Sequence, residues 1–504
     1  MRNSLVSAAF LATLCLHAQT VTPAVQHGLD SIRPSELRGD LSFLASDALQ
    51  GRYTPSPGLE MAAEFIASKF RAIGLEPAGN SGYFQLAPMV DRKLPKMTSP
   101  VVVRGGDKTL TIEPGAVQVS KASAAAQIKS ATVLKISDAD PEKLKGLDMD
   151  GKVILFAMPD FATVAASHRM AVYEKMQAFE KAVASSKAVA EIAITNGAGR
   201  SVSSRLLPAD EAGEVAPPEV QVNSAELATD LSNSTPLTAS LDIPAPQDQQ
   251  VTVKNVIGLL HGSDPTLRTT CVLVTAHYDH IGTADTAGGL AESKSDGRDK
   301  IFNGANDDGS GTVSVIEIAR ALAQLHPKRS ILFITFFGEE RGLLGSTWYG
   351  RNPVFPIART VADINLEQVG RTDSTEGPEI SNASVTGFDY SDVTKYLENA
   401  GAVTGVKIYE DPSASDPYFV RSDNAALALQ GVPAHTLCTA FDYPDYHGVG
   451  DEWQKIDYDN MAKVDRTVAL AVLRIADSGK VPQWNAQNPK TLEFREAQKA
   501  QSTR

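Results

Sequence analysis

A chain of 504 residues is long enough for two or three domains with well-buried cores, and a composition of 42% apolar and 21% charged residues is that of a globular protein. The formal net charge of −13 comes with no basic stripe, which argues against a nucleic-acid partner because phosphate contact needs clustered Lys and Arg. The charge does not identify a substrate.

Residues 1–24 read MRNSLVSAAFLATLCLHAQTVTPA. Arg2 supplies a positive start, Leu5 to Leu16 an apolar core and Ala18 a small residue for cleavage, so residues 1–18 are predicted to be a signal peptide and the protein to be exported, to the periplasm or beyond it. The apolar run is shorter than the ~20 residues of a spanning helix, so no stable membrane insertion is expected once the signal is removed. Cys15 would leave with it. Cys271 and Cys438 each lie in an apolar run and are expected to be two buried thiols, with a single bridge as the alternative an oxidising compartment allows.

Residues 19–90 are predicted to be a helical lead into the main domain. After the turn-rich GRYTPSPG, Gly51 to Gly58, the residues Met61, Ala62, Phe65, Ile66, Phe70 and Ile73 recur at helical spacing, with Gly74 placed to cap the end. Residues 91–250 change character. Short β-branched runs at Val101 to Val103, Thr132 to Ile136 and Val153 to Phe156 are interrupted by a helical stretch from Tyr173 to Ala190 and closed by a Pro-rich exit, Pro244 to Gln250. This reads as a smaller, β-rich inserted domain without a cluster of metal-ligating residues.

Residues 251–480 alternate strands and helices. The runs Val256 to Leu260, Cys271 to Ala276, Ile331 to Phe337, Val361 to Leu366 and His435 to Cys438 are continuous enough for strands covered on both faces. Val313, Ile316, Ala319, Ala321, Leu322 and Leu325 mark a helix that Pro327 ends. The fold class is therefore α/β, a mainly parallel mixed sheet sandwiched by helices, with ligands expected at the carboxyl ends of the strands. Residues 481–504 are polar and are expected to be a loosely held tail.

Those strand ends carry the chemistry. Cys271 to Ala276 runs into His277, Tyr278, Asp279 and His280; Ile331 to Phe337 into Glu339 and Glu340; Val361 to Leu366 into Glu367; and the His435 strand is followed by Tyr446 and His447. Between the first two lies NGANDDGSG, Asn303 to Gly311, which alone is an ordinary turn. Unrelated structural roles at every one of these ends are less economical than one metal site. Imidazole and carboxylate donors without thiolate suit Zn²⁺. Two ions need a bridging anion, for which Asp307 is placed; His277 and Glu367 would complete one ion, Glu340 and His447 the other. Glu339 is left to act as general base, Asp279 to fix the His277 tautomer, and Tyr446 to donate a hydrogen bond to a developing oxyanion. Asp308 is expected to hold backbone geometry, and Ser310 to cap the following helix.

The ordered set HYDH, NGANDDGSG, FFGEE, NLEQVG and DYH resembles the co-catalytic di-zinc exopeptidases of clan MH, which include bacterial leucyl aminopeptidases, vacuolar aminopeptidase Y and the glutamate carboxypeptidases. The resemblance covers about Val251 to Ile475. It extends more weakly to residues 91–250, where Gly151-Lys152-Val153-Ile154 is similar to a phrase of protease-associated domains. It implies the phosphorylase/hydrolase-like zinc-peptidase fold, two Zn²⁺ per chain held by His277, Asp307, Glu340, Glu367 and His447, Glu339 as base, and a cis peptide between Asp307 and Asp308. Glu367 stands where many members carry aspartate. The function implied is that of an exported exopeptidase acting on peptides, most simply an aminopeptidase using a hydroxide held between the metals. A carboxypeptidase of the same fold, a single-zinc glutaminyl cyclase and a non-catalytic receptor-like relative are the alternatives, and no nucleophile elbow suggests a serine hydrolase. The oligomeric state is left open.

Overall fold

The computed structural model describes residues 21–160, 163–164, 166–196, 203–286, 297–375 and 377–502. The signal-peptide expectation for residues 1–18 lies outside them, as do residues 287–296 of the Gly-, Ser-, Asp- and Lys-rich stretch from Ile281 to Phe302, which as sequence reads equally as a rim or lid over the site and as a solvated surface loop.

The site is organised by a ten-stranded mixed sheet. Its order runs from Lys407–Tyr409 through Asn382–Val385, Ala434–Cys438, Thr360–Leu366, Cys271–His277, Ser330–Phe336, Gln247–Leu260 and Phe84–Lys93 to Ser204–Pro208, with Glu76–Pro77 paired to the side. The four strands from Ala434–Cys438 to Ser330–Phe336 are mutually parallel, so their carboxyl ends share one edge. His277 lies opposite Phe336 in this register, which puts the loop after each strand at the same level. The strands to either side are antiparallel.

Along Cys271–His277 the side chains alternate between two cores. Val272, Val274 and Ala276 pack with the helices Pro34–Leu44, Pro57–Ile73, Gly311–Ala323 and Tyr458–Asp477, whereas Cys271 and Leu273 pack on the opposite face with Tyr349, Leu427, Trp484 and Phe494. Both faces are dry, which is why these strands read as continuous apolar runs. Cys271 and Cys438 are buried and unbridged.

Pro57–Ile73 begins where Ser56 Oγ accepts from Leu59 N and ends at Gly74, whose φ of +90° no side-chain-bearing residue adopts easily. Leu59, Ala62, Ala63, Ile66 and Phe70 face the core; Met61, expected on that face, is exposed. Gly311–Ala323 lies deeper, with Val313, Val315, Ile316, Ile318 and Leu322 all buried.

A second, eight-stranded sheet with its own apolar core is built from strands between Val101 and Ile243. Several sequence expectations shift here. The helix expected over 173–190 is Ala166–Ala184, and Ala190 instead opens the buried strand Ala190–Ile194. The Pro-rich exit gives way at once to a strand: Gln247–Leu260 is a single strand of 14 residues, paired from Gln247 to Val256 with Phe84–Lys93 and from Val256 to Leu260 with Ser330–Phe336. Ser204–Pro208, inside the 91–250 segment, adds to the large sheet beside Phe84–Lys93.

The end of the chain is held against the body of the protein. Trp484 is 5% exposed, donates its indole N–H to Gly431 O at 3.0 Å and stacks on Phe494 of the helix Leu492–Ser502, also 5% exposed. Two aromatic anchors suffice to fix a segment whose other residues are polar, and the average polarity of residues 481–504 conceals them.

Candidate metal centre and active site

Asp307 is the point on which the site converges. Its Oδ1 lies 3.4 Å from His277 Nε2, and its Oδ2 lies 3.0 Å from His447 Nε2 and 3.9 Å from His280 Nδ1. The two oxygens of one carboxylate thus face two separate clusters. In the first, donor atoms of His277, Asp307 and Glu367 lie within 4.8 Å of one another; in the second the same holds for His280, Asp307 and Glu340. Glu340 Oε1 is also 3.3 Å from His447 Nε2.

The loop that presents Asp307 is pinned from all sides. Asp451 accepts from Asn306 N at 3.0 Å and Asp307 N at 3.1 Å, and from the Tyr443 hydroxyl at 3.0 Å. Asn306 Oδ1 accepts from Gly370 N and Arg371 N. The peptide between Asp307 and Asp308 is cis. Asp308 turns away from the clusters: Oδ1 accepts from Gly311 N at 3.0 Å and Gln368 N at 3.1 Å, and Oδ2 from His277 N at 3.3 Å. It ties the Asp307 loop to the strand ends that carry His277 and Glu367. Gly304, at φ +55°, lies so close to the His280 ring that an added Cβ would sit 2.4 Å from Cγ. Ser310 caps no helix: its hydroxyl donates to Asn306 O at 2.7 Å and accepts from Val369 N at 3.1 Å.

Glu339 and Glu340 follow Gly338, whose φ of +68° turns the chain out of its strand. Glu339 Oε2 is 3.9 Å from His277 Nε2, whereas Glu340 faces His280 and His447, so the adjacent carboxylates diverge toward different clusters. Asp279 orients both neighbours. His277 Nδ1 is 3.2 Å from the Asp279 main-chain oxygen and 3.5 Å from its carboxylate, so the carbonyl is the nearer partner where the sequence pointed to the side chain. The Asp279 carboxylate accepts from Glu339 N at 3.1 Å and from the Thr54 hydroxyl at 3.1 Å. Tyr446 stacks on the His447 ring with centroids 4.1 Å apart.

Arg52 is what sequence reasoning overlooked. It is 1% exposed, and its guanidinium donates to the main-chain oxygens of Tyr278, Leu44, Asn303 and Gly304 at 2.6–2.8 Å. His280 N donates back to Arg52 O at 3.3 Å. One side chain thereby joins the N-terminal segment to both metal-site loops. Its signal in the sequence was slight: an Arg flanked by Gly51 and Tyr53 in a turn with no charged partner nearby in the chain.

Buried carboxylates and imidazoles crowd together here. Burial, with the carboxylates of Glu367, Glu340 and Asp423 adding to it against His277, pushes Glu339 well above the usual carboxylate range. Burial likewise raises Asp308 and, to about 7, Asp423. Burial works against a charged His277, yet Glu339, Asp279, Asp307 and Asp308 together hold that imidazole well above its ordinary value. His277 Nε2, both nitrogens of His280 and Glu340 Oε1 are buried without hydrogen-bond partners. Unpartnered buried donors and acceptors are costly, and here they cluster on one carboxylate. Donors bound to one tetrahedral zinc at ~2.0–2.1 Å stand ~3.3 Å apart. The distances of 3.4 Å in the first cluster and 3.0 and 3.3 Å in the second fit that spacing, and the all-nitrogen-and-oxygen donor set suits zinc.

Comparison with known proteins agrees. Residues 255–472 match the model of peptidase family M28. A probable zinc metalloprotease of Pyrenophora tritici-repentis is 33% identical over 127 residues, 25% of this chain and 24% of that protein. An aminopeptidase of Bacillus subtilis is 28% identical over 220 residues, 42% of each chain. The chain thus spans less than half the length of these curated relatives. Among solved structures, the aminopeptidase from Aneurinibacillus sp. strain AM-1 superposes with a TM-score of 0.59 at 20% identity, covering 91% of this chain and 97% of that one. A zinc aminopeptidase from Bacillus subtilis gives 0.51 at 21% identity, covering 89% and 96%. At these identities the superpositions speak to the fold, and the family match spans the strand ends described above. Over residues 255–472 the chain is thus similar to peptidase family M28, on the fold that the zinc aminopeptidases above share.

Proposed function

We propose that the protein is an exported aminopeptidase that uses two zinc ions to hydrolyse the N-terminal peptide bond of peptide substrates. The observation that carries this reading is the sharing of Asp307 between two clusters, one oxygen directed to each. In this reading His277, Asp307 and Glu367 hold one ion, and Asp307, Glu340 and His447 the other. Zinc at these positions supplies Lewis acidity toward the scissile carbonyl and acidifies the attacking water.

The chain's own residues do the rest. Glu339, beside the first cluster and directed away from the second, takes the proton of the attacking water and passes it to the leaving amine. Asp279 fixes Glu339 through its main-chain N–H and His277 through its ring, which keeps base and ligand in register. Tyr446, stacked on His447 among the carboxylates, keeps its phenol protonated well above the usual range, through burial first and then through Asp307, Glu340, Glu367 and Glu339, and is the donor for the developing oxyanion.

Export rests on the sequence of residues 1–18, and no helix among the described residues is long and apolar enough to cross a membrane. We assign residues 91–250 to a protease-associated-like insert that screens substrates, supported by the second sheet and its separate core.

Asp307→Asn tests the two-metal reading. The amide has one anionic oxygen fewer and cannot serve both clusters, so zinc content measured by mass spectrometry after dialysis should fall below two ions per chain and activity should fall with it. Retention of two zinc ions by the variant would sink the shared-carboxylate reading.

A further inference from the structure

His280 is the one imidazole at the centre that the reading above leaves without work. It is fully buried, at 0% exposure, and neither ring nitrogen has a hydrogen-bond partner. Its Nδ1 nevertheless lies 2.8 Å from Glu340 Oε1 and 3.9 Å from Asp307 Oδ2. A ring nitrogen at hydrogen-bond distance from a carboxylate, but off the line a ring N–H would take, is the arrangement of two donors directed at a common ion. Glu340 Oε1 is itself unpartnered. The position is built: Arg52 O anchors the His280 main chain, and Gly304 leaves room for the ring against the Asp307 loop, where any Cβ would strike it.

We propose that His280, through Nδ1, is a protein ligand of the second zinc ion alongside Asp307, Glu340 and His447. The inference rests on the two-metal reading above. The second position would then have one more protein donor than the first, which has His277, Asp307 and Glu367. His280 also belongs to the buried wall of the site, whereas His447 comes from an outer loop and its side chain is 16% exposed.

The ring nitrogen used separates the histidines. His277 presents Nε2, its Nδ1 being directed to Asp279 O, and His447 also presents Nε2; His280 alone presents Nδ1. Unaltered protein labelled with ¹⁵N-histidine and loaded with ¹¹³Cd should therefore show one-bond cadmium couplings to three histidines, one of them through Nδ1. Couplings to Nε2 of two histidines only would overturn the assignment and leave the two-metal reading standing. In parallel, His280→Ala should lose one of the two zinc ions on dialysis; retention of both at unchanged affinity would overturn it equally. Unaltered protein that binds a single zinc ion would remove the two-metal reading and this ligand together.

Discussion

Glu339→Gln should leave the metal content unchanged and lower turnover by ~10²–10⁴-fold, the contribution of a positioned general base. The amide nearly matches the carboxylate in shape and can still occupy the space beside His277, but it cannot take a proton. The prediction depends on the divergence of the Glu339–Glu340 pair. Glu340 lies 3.3 Å from His447 and 2.8 Å from His280, within the second cluster, whereas Glu339 lies 3.9 Å from His277. Gly338 permits that divergence, since a φ of +68° at the strand end turns consecutive side chains to different sides of Asp307. The two substitutions should therefore separate cleanly: Glu340→Gln weakens zinc binding, while Glu339→Gln spares it. Zinc analysis and kcat measured on the same preparations check both. A Glu339→Gln enzyme with near-normal kcat would remove the base assignment, and one that has lost zinc would show that Glu339 acts as a ligand.

Arg52→Met is expected to have the largest effect on stability, a loss of about 3–5 kcal/mol, because it removes a buried charge and its hydrogen bonds to buried main-chain oxygens. Four main-chain oxygens from three separate segments accept from this guanidinium, and none of these bonds is exposed. Burial disfavours its charge, but the carboxylates of Asp279, Asp451, Asp307 and Asp308 favour it, so the positive group also offsets part of the site's negative charge. Arg52→Lys is not a conservative change here. An ammonium keeps the charge but is too compact to span acceptors on Tyr278, Leu44, Asn303 and Gly304. Denaturant unfolding should place the Lys variant between the native protein and the Met variant. Zinc affinity should fall in the same order, since the acceptors include both loops that carry the ligands. If Arg52→Met unfolded at the native denaturant midpoint with undiminished zinc affinity, Arg52 would not be the clamp described.

The sequence made the strand ends legible for a physical reason. Strands covered on both faces are continuous apolar runs, so the first charged residue after each run marks where the chain leaves the sheet, and His277, Glu339, Glu340 and Glu367 are all found that way. Parallel register brings those exits to one edge without any knowledge of side-chain contacts. Features fixed by how loops fold back were not accessible in the same way. His280 lies within the quoted HYDH motif, yet its direction depends on the turn after Asp279 and on the space left by Gly304. Arg52 and Asp451 act on the main chain of residues more than 100 positions away, a kind of bond that leaves no local pattern. Gln247 to Gln250 are polar and follow a Pro-rich stretch, but pairing with Phe84–Lys93 carries the strand through them. The last residues looked loose because their mean polarity hides Trp484 and Phe494, which are buried together.

The central claim is that a zinc centre built on Asp307 removes residues from the free amino end of peptides. Its most direct test is a panel of peptides offered in parallel with free, N-acetylated and C-amidated ends, before and after zinc is withdrawn with a chelator and returned. Stepwise release of N-terminal residues from the free and C-amidated peptides, abolished by N-acetylation and by chelation and restored by zinc, is the result expected. Hydrolysis that survives N-acetylation but is lost on C-amidation would contradict the aminopeptidase reading in favour of a carboxypeptidase of the same fold, and hydrolysis indifferent to zinc would contradict the metal centre itself.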